Sequence, residues 1–208
     1  MIARFVAGQF RTPTGFFGRL VGTIMARGNV LKQGWTVSLL NLQAEEHILE
    51  IGFGPGVAIQ YAAQQAVTGQ VAGIDSSDTM VQVARKRNAA AIKSGRVDLR
   101  QGEVSSLPYP DASFEKAFTI HCLYFWVKPI ESLKEVRRVL KPGGLLAVTI
   151  LPKEKWPQGR RTPPPDVFTL YSGSEVVQLL SSAGFRDVRV EMSPQADSFP
   201  GECILAVQ

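Results

Sequence analysis

The chain has 208 residues, enough for one α/β domain with a sizeable core. Hydrophobic residues make up 45% and charged residues 20%, which excludes a disordered or collagen-like chain. Cys122 and Cys203 are the two cysteines; they exclude a disulfide scaffold and a cysteine-built zinc cluster, and they fit a reducing, cytoplasmic compartment with no metal site expected.

The net charge of +5 is unevenly placed. Residues 1–44 carry Arg4, Arg11, Arg19, Arg27 and Lys32 and no acid, while acids and bases balance in the rest. Arginines interrupt every apolar run near the start, so no secretory signal is expected. Three readings of this arm stay open: a folded extension, a lid or surface contact for an anionic or lipid-like partner, and a cleavable transit peptide. The longest charge-free run, residues 51–74, holds five glycines and a proline and would make a poor membrane span.

In chain order, helical spacing covers residues 16–27 and 31–40. His47–Ile51 is a short apolar run ending in glycines, which predicts a buried strand. Residues 57–67 predict a helix, Gln70–Asp75 a second strand, and 77–93 a long helix with Ser76 or Ser77 as its N-cap. Residues 97–102 and 115–120 predict two further strands. A helix over 129–140 starts on a proline and carries Ile130, Leu133, Val136 and Leu140 on one stripe. The run Lys141-Pro-Gly-Gly stops it, and 145–151 predict a fifth strand. A helix over 174–183 ends at Gly184, and 188–192 and 203–207 predict an antiparallel pair. Alternation of strand and helix implies a mostly parallel sheet with helices on both faces. The basic residues Arg85, Lys86 and Arg87 are expected to form a solvated face, without the aromatic platform a nucleic acid would need.

The strongest chemical signal is Glu50-Ile-Gly52-Phe-Gly54-Pro-Gly56, placed between a strand and a helix. Glycines there permit a tight turn and close approach of backbone to a ligand. Asp75 ends the second strand, where an acid is placed to accept from ribose hydroxyls. A dinucleotide site wants G-x-G-x-x-G with a helix N-terminus facing a pyrophosphate. Here the spacing is G-x-G-x-G, and Glu50 would repel a pyrophosphate but suits a tail carrying an ammonium and a sulfonium. A nicotinamide-dependent oxidoreductase and a non-catalytic cofactor-binding module are the alternatives.

Four blocks in order, ILEIGFGPG (48–56), GIDSSDTM (73–80), QGEVSSLPYPDASFEKAF (101–118) and RRVLKPGG (137–144), resemble a class I S-adenosylmethionine-dependent methyltransferase. The likeness runs from about Gln43 to Gln208 and is greatest to the small-molecule branch, which includes quinone and lipid methyltransferases. It implies a Rossmann-like seven-stranded sheet of order 3-2-1-4-5-7-6 with the last strand antiparallel. It divides the chain into a basic helical arm or lid, residues 1–42, and a methyltransferase domain, residues 43–208. It implies S-adenosyl-L-methionine as cofactor. Gly52, Gly54 and Gly56 would line its methionine and ribose part, and Glu50 would hold its ammonium. Asp75 would take the ribose hydroxyls. Ser76 and Met80 would flank the adenine. Glu103, where such proteins usually carry aspartate, would accept from the adenine amino group, and Val104 would offer a backbone N–H.

Methyl transfer from a sulfonium is an in-line displacement that needs alignment above all. The fourth strand delivers His121-Cys-Leu-Tyr124-Phe125-Trp126 to the edge that carries the glycine turn. His121 is a candidate general base or hydrogen-bonding group near the methyl donor, and Tyr124 a candidate to position the acceptor. Trp35, Phe125, Trp126 and Tyr171 are candidate acceptor walls. Arg160 and Arg161 are candidates to meet an anionic group. Two cysteines do not suffice for arsenic methylation, and the segment lacks the Asn/Asp-Pro-Pro-aromatic run of DNA amino-methyltransferases. The expected acceptor is a small or lipid-like molecule.

Overall fold

The computed structural model describes residue 15 and residues 30–157, 167–194 and 200–208. The helix expected over 16–27 and the pair Arg160 and Arg161 lie outside these residues. Seven strands form one sheet: β1 (His47–Ile51), β2 (Gln70–Asp75), β3 (Val97–Gln101), β4 (Phe114–Ile120), β5 (Leu140–Ile150), β6 (Arg186–Met192) and β7 (Glu202–Val207). Their order is β3-β2-β1-β4-β5-β7-β6. The first five pair in parallel, and β7 runs antiparallel to both β5 and β6. The expected topology is the observed one.

Period-two alternation decides which residues face which layer. On one face, Ile48, Val71, Phe118 and Leu205 pack under α1 (Val30–Leu39), α2 (Val57–Gln65) and α3 (Asp78–Arg87). On the other, Leu49, Ile74, Leu146 and Ile204 pack under α5 (Pro129–Val139) and α6 (Gly173–Ser182). Helix α5 carries Leu133, Val136 and Val139 inward, with Pro129 in its first turn. Helix α6 opens with a capping box between Ser172 and Glu175. Helix α1 is fastened by more than apolar contact. Its buried Thr36 hydroxyl lies 2.7 Å from the buried Thr149 hydroxyl of β5.

Two elements differ from expectation. The long helix over 77–93 is broken at Asn88 into α3 and α4 (Ala89–Lys93). Asn88 is buried, and its side-chain amide donates to the Gly56 and Ala84 carbonyls at 3.0 Å each. An amide committed to a neighbouring turn outweighs a gain of one more helical residue. Ser77, not Ser76, is the N-cap, accepting from the Met80 N–H. Secondly, β5 starts at Leu140 and not at residue 145. Leu140 pairs with Phe114, and a register shift follows before Leu145 pairs with Lys116. The Pro-Gly-Gly run ends the helix as expected, but the chain absorbs it as an irregularity within the strand.

Candidate active site

The carboxyl ends of β1, β2, β3 and β4 surround a cavity of about 340 Å³. Open parallel sheets bind ligands at this edge. The turn after β1 forms its floor. Gly52 has φ of 72° and its N–H donates to the Ile74 carbonyl at 2.8 Å. A methyl group at Gly52 would collide with the Cys122 thiol, so glycine is required there twice over, by conformation and by space. Gly54 N–H donates to Asp75 Oδ2 at 2.8 Å. Gly56 is the N-cap of α2 and packs away from the cavity, against Ala84 and Asn88.

Two acids sit under and beside this turn. Asp75 is 8% exposed; its second oxygen accepts from Ser77 N–H at 2.9 Å. Burial pushes its carboxyl up to about 6, against the two N–H bonds that favour the charged form. Glu50 is deeper, and it caps the first turn of α2 through the Ile59 N–H. Its Oε2 is buried without a hydrogen-bond partner. Burial holds Glu50 well above the usual carboxylate range, and the Asp75 charge pushes the same way. Two buried acids, both raised, form a site whose strain a cationic ligand would relieve and a pyrophosphate would worsen.

Ser76 and the buried Met80 line the next part of the wall, with Glu103 and Val104 from the loop after β3. That loop is held by Arg138, which bonds the Tyr109 and Leu107 carbonyls and pairs with Glu135 and Asp111. At the end of β4, His121 lines the cavity with φ of 54°, a left-handed backbone that a histidine adopts at a cost. Its N–H donates to the Thr149 carbonyl at 2.9 Å. Burial, with the Lys32 ammonium adding, pushes its imidazole down to about 3. Cys122, Phe125, Trp126, Val127 and Lys128 complete this side. Burial pushes the Cys122 thiol up to about 12.

The cavity wall thus brings together Gly52, Gly54, Asp75, Ser76, Met80, Glu103, Val104, His121, Phe125 and Trp126. Five expected residues are not in that wall. Glu50 lies beneath the turn and Gly56 behind it. Tyr124 is buried, and its hydroxyl bonds the Leu151 backbone and His121, because the 3-10 turn Leu123–Phe125 rotates it into the core. Trp35 packs with the α1–α2 layer, and Tyr171 packs against the α5–α6 layer beside a separate shallow depression. The sequence marks Lys32 only as one of the five cations of residues 1–44, and nothing in it marks Asn88. Periodicity places both on helices and is silent on what their polar ends meet.

The residues present fit S-adenosylmethionine. Asp75 keeps lone pairs after its two N–H bonds, Met80 and Val104 give apolar flanks for a purine, and Gly52 and Gly54 let backbone approach a bulky tail. A family model described as a methyltransferase domain matches residues 49–148, from β1 into β5. The chain is 29% identical over 172 residues to an uncharacterized methyltransferase, YdaC, of Bacillus subtilis, covering 83% of this chain and 89% of that one. It is 34% identical over 109 residues to a demethylmenaquinone methyltransferase of Symbiobacterium thermophilum, but spans 43% of that protein and 52% of itself. A solved S-adenosylmethionine-dependent methyltransferase from Aquifex aeolicus matches with a TM-score of 0.72 at 25% identity, over 86% of this chain and 91% of that one.

Fold, family model and relatives together define an α/β methyltransferase. The chain belongs to the class I S-adenosylmethionine-dependent methyltransferases, and S-adenosyl-L-methionine is its cofactor. This decides against the nicotinamide alternative. Among the described residues no helix is long and apolar enough to cross a membrane.

Proposed function

We propose that the chain methylates a small-molecule or lipid-like acceptor by in-line displacement. The observation that carries this is a cavity with two different halves. Glu50, Asp75, Met80, Glu103 and Val104 gather at or beneath the β1–β3 side, where they would hold the donor. Phe125, Trp126 and Val127 wall the β4 side, where an apolar acceptor would lie. When bound, the donor supplies a methyl group on a sulfonium. Asp75 would accept from its ribose hydroxyls, Glu103 from its adenine amino group, and the Val104 N–H would meet the ring. The turn at Gly52 and Gly54 would seat the methionine tail, with Glu50 compensating its positive charge from below. Orientation of this kind supplies on the order of 7–11 kcal/mol of barrier lowering. The quinone-methylating relative supports a small acceptor over a macromolecule.

We propose that the basic arm, residues 1–42, serves the acceptor side. Lys32, on the described helix α1, is close enough for its charge to bias the His121 imidazole, which supports such a role. The same acid-free arm would favour an anionic membrane surface.

The test is methyl transfer from labelled S-adenosylmethionine to a panel of phenols, hydroquinones, amines and phospholipid vesicles, with transfer RNA and duplex DNA alongside. Label in an organic-soluble small product is expected. Label confined to nucleic acid would refute the proposal. Removing residues 1–29 should leave S-adenosylhomocysteine binding intact and lower turnover; unchanged turnover would remove the arm from the reaction.

A further inference from the structure

The sheet ends at β6, and among the described residues that strand pairs with β7 alone. An edge strand presents its outer row of N–H and C=O groups to any strand that comes beside it, and natural edges are often guarded by lysine or proline. The sequence of β6, RDVRVEM, has neither. Its apolar residues are also uncovered: Val190 is 42% exposed and Met192 58%. The two other large apolar side chains that are exposed among the described residues have different settings. Val127 lines the cavity, and Val67 lies in the bend before β2. At the opposite edge of the sheet, β3 keeps Val97 and Leu99 buried.

We propose that β6 is a homodimer interface, pairing antiparallel with β6 of a second copy of this chain about a two-fold axis at Val190. Pairing with β7 fixes which residues share a face. Arg189 and Glu191 stand opposite Leu205 and Cys203, and Val190 and Met192 opposite Ile204 and Glu202. Charged side chains therefore occupy one face of the strand and apolar ones the other. An axis at Val190 sets that valine against its own copy. It sets Arg189 against Glu191 of the second copy, and Glu191 against Arg189 of the second copy. On the apolar face Val188 meets Met192 of the second copy. Both rows are self-complementary, as a two-fold interface requires. Neighbouring registers fail. An axis at Arg189 opposes that arginine to itself and Asp187 to Glu191, and an axis at Glu191 opposes two glutamates. An axis at Val188 falls in the irregular part of the strand, where pairing with β7 shifts between Arg186 and Arg189 and Asp187 has φ of 50°. A half-step would oppose residues of different faces.

Arg189 Nε and Glu191 Oε1 already lie 3.6 Å apart within one chain, both exposed. An exposed pair of this kind adds little by itself. Across the axis the same residues form a ring of alternating charges, over an apolar row that excludes water from the other face. The two seven-stranded sheets become one. The rotation reverses the second copy, so the two cavities open on opposite edges of the joined sheet. Strands β7 and β5 separate β6 from the strands that carry the cavity. The interface therefore leaves the donor site untouched, and it stands apart from the choice of methyl acceptor.

The test is analytical ultracentrifugation of the full chain over a dilution series. One chain weighs 22.7 kDa, and the unmodified protein should approach twice that mass at high concentration. One pair of strands is a small interface, so the dimer should come apart on dilution. Arg189→Glu and Glu191→Arg each set like charges across the axis, and each variant should stay monomeric. Mixing the two variants sets opposite charges across the axis again, and the mixture should regain the dimer mass. Mixing cannot restore the ion pair within a chain, so recovery reads the contact between copies alone. Both positions are exposed, and circular dichroism checks that each variant is folded. An unmodified protein that stays monomeric at every concentration would overturn the proposal. So would single variants that still dimerise, or a mixture that stays monomeric.

Discussion

Removing the charge of Asp75 should change both stability and its pH dependence. The Asp75 carboxyl titrates near 6 in the fold against an ordinary 3.8. The native state therefore binds a proton that the unfolded chain has already released between about pH 4 and 6. Stability falls as pH rises through that window and levels off above it. A displacement of about two pH units corresponds to roughly 3 kcal/mol. Other acids contribute too, Glu50 with the same sign, so the informative quantity is a difference. Asp75→Asn is neutral throughout and keeps one acceptor oxygen for the Gly54 or Ser77 N–H. Urea unfolding followed by tryptophan fluorescence at steps from pH 4 to 7.5 gives both curves. The advantage of the unmodified protein over Asp75→Asn should shrink by roughly 3 kcal/mol across this range. Parallel curves would show that Asp75 does not take up a proton on folding. Asp75→Ala should cost more, because two buried N–H groups lose their partner, at about 1–3 kcal/mol each. In the unmodified protein, affinity for S-adenosylmethionine should fall as pH drops below about 6 and the carboxylate is neutralised.

Gly52→Ala should lower stability by about 2–4 kcal/mol and abolish cofactor binding, because the new methyl meets Cys122 and the backbone sits at positive φ. Calorimetry with S-adenosylhomocysteine checks it. Asn88→Ala should cost about 1–3 kcal/mol by leaving the Gly56 carbonyl without its side-chain donor; a melting temperature equal to the parent's would contradict this. Thr36→Val should cost about 1–3 kcal/mol, and adding Thr149→Val should recover much of it, since two apolar groups replace a broken buried bond. A double variant as unstable as the sum of the singles would show that the hydroxyl pair is not coupled.

What was legible depended on period and on glycine. The runs HILEI, QVAGID and EKAFTI are short, apolar and bounded, and each became the strand expected of it. The turn at Gly52 and Gly54, with Asp75 one strand away, was legible as a candidate donor site, because it brings backbone and acid to one edge. The misses share a cause. Asn88 breaks a helix whose local sequence favours continuation, through a bond to a turn 32 residues earlier. Gly56 has no room for a side chain because Ala84 and Asn88 pack against it, a contact that local sequence does not show. Tyr124 and Phe125 are adjacent, yet a single 3-10 turn sends one into the core and the other to the cavity. Side-chain destinations of this kind are set by tertiary partners, which no window of sequence contains.

The cavity over Gly52, Gly54 and Asp75 is the proposed seat of the methyl donor. Thermal unfolding of the unmodified protein and of Asp75→Ala, each with S-adenosylhomocysteine or NAD, tests it most directly. A ligand at 100 times its dissociation constant adds about 2.7 kcal/mol. That stabilisation is expected for the unmodified protein with S-adenosylhomocysteine, a much smaller one for Asp75→Ala, and none with NAD. An equal shift in both proteins, or a shift with NAD alone, would contradict it.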